Sequence, residues 1–271
     1  MAKDDPFPEA TLWIGNILVW AIMTGVVSRS YNRKYAETSC RHLLSFSPSG
    51  LAFGMWFVIW AAVVVSVGTQ AILYATDGED AFSPSEASAL LSGSFAMACL
   101  WAPFFSNGTV GGYWVAAGAL LSSAALAVSA SVIDRVNSHR TAVQTFLVHP
   151  AFALMAGWTC VAACLSVGIA LKAALERDGS EYVQGAGEAV AQCDYSALRY
   201  NIVAPNSKFP HGPTAVPLAL SAAIATAAVV ARDPLLPVPV AWGVFFMHPS
   251  WWNWAALVLL AASAAVAAAL S

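Results

Sequence analysis

Apolar residues run along this chain in long unbroken stretches, separated by short polar breaks. A helix needs about 20 mostly apolar residues to cross the hydrocarbon core of a bilayer. Residues 12–27, 50–74, 87–105, 112–133, 149–171, 214–231 and 251–270 are the predicted spans. The stretch 235–247 is too short for a full crossing unless it tilts or lies half buried. Barrel strands would show short alternating segments instead. The expected fold is therefore all-α: a polytopic transmembrane helix bundle of seven full spans plus one short segment, which is itself a candidate eighth.

The same pattern divides the chain. Residues 1–11 form an acidic N-terminal tail, 12–172 a five-helix membrane core, 173–213 a polar connecting loop, and 214–271 a set of C-terminal membrane helices. The tail lacks the basic region of a signal peptide and the Arg/Ser richness of a transit peptide. The loop is long for a connector and fits a cap or a partner-binding segment as well as a plain link.

Composition sharpens this picture. Of 271 residues, 59% are hydrophobic and 10% charged, against about 25% charged in soluble domains. So few charges cannot solvate a water-facing surface of this size, and a soluble enzyme is excluded. The net charge of −3 argues against nucleic acid, which calls for a basic stripe. Lys and Arg also orient the bundle. Arg29, Arg33, Lys34, Arg41, Lys172, Arg177, Arg199 and Lys208 fall on one side; Lys3, Arg135, Arg140 and Arg232 fall on the other. The first group marks the cytoplasm-like side. The sequon at Asn107 falls on that same side and is expected to stay unmodified.

Candidate chemistry is sparse. No Asp, Glu, Lys or Arg lies within the predicted bounds of any span, which argues against a pump, a coupled transporter or an ion channel. No lysine in the last spans could carry a retinal Schiff base. His149 and His248 stand at span ends, each followed by Pro, and read either as interfacial helix starts or as axial ligands to a haem or chlorophyll. Cys160 and Cys164 share a helix face without further metal ligands nearby and read as small buried residues. His42, His139, His149, His211, His248, Asp194 and Asp233 are scattered, with no nucleophile elbow. Catalysis is not expected.

The spans are rich in tryptophan, with 11 in the chain. Trp13, Trp251, Trp252 and Trp254 lie near span ends, where aromatic belts form. Trp20, Trp56, Trp60, Trp101, Trp158 and Trp242 lie deeper. They read either as interhelix packing or as walls of a cavity for a flat apolar ligand. Ala261, Ala265 and Ala269 form a small-residue seam suited to bundle closure or to docking against another subunit.

Several of these motifs carry a resemblance. Pro48, Phe53, Trp56 and Trp60 open the second span; Trp101-Ala102-Pro103-Phe104-Phe105 closes the third. The fifth holds Pro150 and Gly157-Trp158, with Ala162 four residues on, and Arg232-Asp233 precedes Ala241-Trp242-Gly243. This set resembles the tryptophan-rich sensory protein, or translocator protein (TspO/MBR), family, over 46–172 and more loosely over 214–260, as a distant extended member. Trp60 stands where Tyr is usual in that family, Ala98 where Asn is usual, and the polar residue after Ala162 is absent.

The resemblance implies a five-helix core with a pocket for a tetrapyrrole or a sterol-like lipid, and a sensing or transport role. The expected pocket walls are Phe53, Trp56, Trp60, Trp101, Phe104 and Trp158, with no metal. Expected partners are membrane lipid and a hydrophobic small molecule, with other membrane subunits or a second copy of the chain as further candidates. The alternative is a structural accessory subunit of a photosynthetic or respiratory membrane complex, suggested by charge-free spans and Ala-rich faces.

Overall fold

The computed structural model describes residues 50–77, 85–136, 142–178, 216–246 and 251–270. The first predicted span, the N-terminal tail, the polar loop beyond residue 178, His248, and the side chains of Trp13, Trp20, Trp251 and Trp252 lie outside the described residues.

Every described element is helical. A 3-10 turn, Gly50–Gly54, leads into α1 (Met55–Asp77). Then come α2 (Ser85–Ser106) and α3 (Val110–Val136). A π-helical turn, Gln144–Val148, runs directly into α4 (His149–Asp178). Helices α5 (Val216–Ala231), α6 (Val238–Phe245) and α7 (Trp251–Leu270) complete the chain.

Five stretches are long and apolar enough to cross a membrane: Ala52–Leu73, Glu86–Ser106, Val110–Val136, Gln144–Ala174 and Asn253–Leu270. Ala219–Ala231 is a shorter apolar helix. Helices satisfy their own backbone hydrogen bonds, the condition for placing a chain in hydrocarbon. Several predicted span ends move outward: the fourth predicted span, closed at residue 133, belongs to a helix that runs to Val136, and the fifth, closed at 171, to one that runs to Asp178.

Helix α4 is the axis. In its most apolar stretch 61% of residues are buried, against 28% in α7. It packs against α3, α1 and α6, while α2 packs on α3 and α7 on α5. The α2–α3 pair is clamped by two buried serines. Ser94 donates to the carbonyl of Ser123 at 2.9 Å, and Ser123 donates to the carbonyl of Ser94 at 2.8 Å. Such interhelical bonds replace the hydrophobic drive that lipid cannot supply.

On α7 the residues turned into the bundle are Asn253, Ala256, Leu260, Ser263 and Ala267. Ala261, Ala265 and Ala269 are exposed. Among the described residues the predicted alanine seam therefore does not close the bundle. It lies on the other side of the same helix, because the four-residue repeat runs along both faces.

Helix α5 ends in a Schellman motif. The Arg232 N–H bonds the carbonyl of Val229 at 3.2 Å, and the Asp233 N–H bonds that of Ala228 at 2.8 Å. The motif needs a left-handed residue, normally Gly. Here Arg232 takes that role at φ 52°, at a cost of about 1 kcal/mol or more. Arg135 of α3 holds the strained peptide by donating to the carbonyl of Arg232 at 3.1 Å. The turn then directs Asp233 inward, where its Oδ1 accepts the Leu235 N–H at 3.0 Å and launches the short helix α6. At about 1.5 Å per residue, the eight residues of α6 reach about 12 Å, well short of a crossing.

Candidate functional site

Two buried assemblies are built on α4. The first is aromatic. Trp158, 1% exposed, meets Phe53 edge-on at 5.9 Å and Trp56 edge-on at 6.4 Å between ring centroids. Trp56 in turn lies 6.3 Å from Trp60, one turn along α1. The spacing of Trp56 and Trp60 puts both on one helix face, so the contact of α1 and the 3-10 turn before it with α4 gathers four rings. The T-shaped geometry sets positive ring edges on negative ring faces, worth about 0.5–1.5 kcal/mol per pair.

Helix α6 covers the other side of Trp158. Its Gly243 lies so close that an added Cβ would stand 3.8 Å from Cζ3 of Trp158 and 3.1 Å from Val161. At Gly157 a Cβ would come within 2.5 Å of the carbonyl oxygen of Leu236. Only two residues without side chains allow this approach of α6 to α4. Trp242 fastens the far end of α6, donating its indole N–H to the carbonyl of Ala52 at 3.0 Å.

Four of the six predicted wall residues, Phe53, Trp56, Trp60 and Trp158, therefore come together. Trp101 and Phe104 do not join them. Trp101 packs with Leu120, Ala124 and Ala163 on a different face of α4, and its ring lies 5.2 Å from Phe105. Phe104 is 38% exposed. A small, partly enclosed space lies elsewhere among the described residues: about 20 Å³ between α1, α2 and α4, lined by Val63, Ser66, Gln70, Ser88, Phe95 and Phe152. That is room for about one water. The Oε1 of Gln70, buried beside it, has no hydrogen-bond partner among the described residues.

The indole N–H groups of Trp60 and Trp158 are likewise buried without an acceptor among the described residues. Both rings neighbour Trp56, at 6.3 and 6.4 Å between centroids. A buried donor left unmade costs about 1–3 kcal/mol.

The second assembly is ionisable. His149, at the start of α4, is 2% exposed. Its Nδ1 lies 2.7 Å from Oδ2 of Asp134, and its Nε2 lies 2.9 Å from Oδ2 of Asp233. Both aspartates are fully buried. Ser131 adds a hydroxyl donor to Oδ2 of Asp233 at 3.2 Å. Asp233 sits in the turn between α5 and α6. Burial pushes its carboxyl up, but the His149 hydrogen bond and charge, the Leu235 N–H and the Ser131 hydroxyl outweigh this and hold it below the usual carboxylate range.

These contacts correct three expectations. Asp134 and Arg135 lie inside the apolar stretch Val110–Val136, so the spans are not free of charge; the carboxylate is tolerated there because His149 pairs with it. Asp233 and His149 are not scattered but bonded. Both ring nitrogens of His149 face carboxylates, so neither is open to an axial ligand. The Ser131 hydroxyl bonds the acid and not the imidazole. Among the described residues no group of His, Cys, Asp or Glu has the arrangement of a metal site. The sequence did hold a signal for this assembly. Asp134, His149 and Asp233 all fall at the same predicted end of the bundle, each at the edge of an apolar run.

Together these features define an integral, multi-pass helical membrane protein with an aromatic core. A family model described as TSPO-like protein matches residues 10–184, more than half of the chain, and the chain belongs to the TSPO-like family. No curated protein and no solved structure gives a match. The match ends before α5, so Asp233 and the cover over Trp158 are contributed by helices beyond the matched region.

Proposed function

We propose that this chain is a TspO-type binding protein that takes a flat hydrophobic ligand, a tetrapyrrole or a sterol-like lipid, between its helices at the Phe53–Trp56–Trp60–Trp158 face, in a sensing or transport role and without catalysis. In this reading the bundle has seven full crossings, counting 12–27 and α5, and α6 is a half-crossing segment. The observation that carries the proposal is the pair of buried indole donors on Trp60 and Trp158 that lack an acceptor among the described residues. A planar ligand with carboxylate or hydroxyl oxygens at its edge would stack on the rings and accept both bonds. Because α6 lies on Trp158, entry requires this helix to move aside.

The test is titration of the full chain in lipid nanodiscs with protoporphyrin IX, with cholesterol as the second probe. Saturable tryptophan quenching with a Soret shift is expected for the porphyrin. Trp60→Phe, which keeps a ring and removes the N–H, is expected to weaken binding about tenfold, equivalent to about 1.4 kcal/mol for the lost bond. A wild-type protein that gives neither signal nor competition by cholesterol would remove the ligand reading.

A further inference from the structure

The contact between His149 and its two acids has a proton count that follows from geometry. Two nitrogen–oxygen contacts, at 2.7 and 2.9 Å, require two hydrogens. A neutral imidazole carries one. With both carboxylates ionised, the second hydrogen makes the ring an imidazolium that donates to each side, and the three groups together hold two protons and a net charge of −1. If one proton leaves, a bare ring nitrogen faces a carboxylate oxygen, lone pair to lone pair, in a site that water does not reach.

The three groups come from three places. Asp134 is on α3, His149 opens α4, and Asp233 stands between α5 and α6. No other charged side chain faces the ring among the described residues packed around it. Arg135 reaches the Arg232 carbonyl at an exposed position, Arg232 is exposed, and the described stretch Ala52–Leu73 of α1 carries no charge. Asp233 is also bonded to the Leu235 N–H in the turn that leads into α6, which begins at Val238, five residues on. What happens at His149 is therefore passed to α6 through that turn.

We propose that Asp134, His149 and Asp233 form a proton-loaded latch, in which the second shared proton seats α6 against α4 and its loss lets α6 lift from Trp158. The latch is a property of the protein alone and does not depend on the ligand assigned to the aromatic face. Asp134 pairs within the α3–α4 unit, whereas Asp233 joins that unit to α6, so the joint to α6 is the one that opens.

Hydrogen exchange of the full chain in nanodiscs tests this, read by mass spectrometry from about pH 6 to about pH 10 and corrected for intrinsic exchange. Residues 238–246 report α6, and residues 113–127 of α3 serve as the internal reference. In the wild type, protection of α6 relative to α3 is expected to fall at least about tenfold as pH rises. His149→Gln, whose amide does not titrate in this range, is expected to abolish this pH dependence, and Asp233→Asn to expose α6 already at the lowest pH. A flat wild-type profile overturns the latch, and so does a folded Asp233→Asn protein whose α6 stays as protected as wild type. The wild-type profile alone decides the matter if a variant does not fold.

Discussion

The two assemblies on α4 treat polar groups in opposite ways. At His149 every strong polar atom has a partner: two carboxylates, a hydroxyl and a backbone N–H converge on one imidazole and one another. At Trp158, nine residues further on and about 13 Å along the helix, large rings pack edge to face while two indole donors stay unmade. In a low-dielectric interior a satisfied network holds elements in one arrangement, whereas an unmet donor is a standing cost that a bound acceptor can remove. The contrast separates structure from reception. The ionic end locks the helices, and the aromatic face is the part left with unmet donors among the described residues.

The contrast breaks first at the ionic end. His149→Ala leaves two buried carboxylates facing an empty space. Removing one partner of a buried ionic group costs about 3–5 kcal/mol, so a large loss of thermal stability in detergent is expected, with release of α6. A variant as stable as wild type would show that the acids are not ionised together.

A smaller effect tests the cover over the aromatic face. Gly157→Ala sets a Cβ against the carbonyl oxygen of Leu236, both part of packed backbone. Overpacking of this kind costs about 1–3 kcal/mol and is expected to push α6 outward, raising Trp158 fluorescence quenching by acrylamide. Gly118→Ala is the control: nothing lies within 4 Å of its added Cβ, and in mid-helix it is expected to be neutral or slightly stabilising. Equal quenching in the two variants would mean that α6 does not shield Trp158.

The smallest effect lies away from both assemblies. Ser94→Ala removes half of the α2–α3 clamp and is expected to cost about 0.6 kcal/mol, the usual worth of an interhelical bond in a membrane. Stability should fall by that amount while porphyrin titration and α6 protection stay as in the wild type.

The helices were largely legible before any coordinates. Runs such as 50–74, 87–105 and 149–171 match α1, α2 and α4 to within a few residues at most ends, and the shortness of 235–247 reappears as the eight-residue α6. The ends that moved are those where charge begins. Hydropathy falls at Asp134, yet α3 continues for its hydrogen-bonded turn and buries that residue. The gathering of Phe53, Trp56 and Trp60 on one face could be read from their spacing; their contact with Trp158, and the turning away of Phe104, could not.

Local sequence thus determined that the chain forms apolar helices long enough for a membrane, where they start, and which faces carry indoles, because run length and helical period are sums over neighbouring residues. Only tertiary structure decided that Asp134, His149 and Asp233 share protons, that α6 lies over Trp158, and that the Ala261–Ala265–Ala269 seam faces out. The meeting of the acids with His149 spans 15 and 84 positions of chain, and burial of a charge is tolerated only when that meeting supplies its partner.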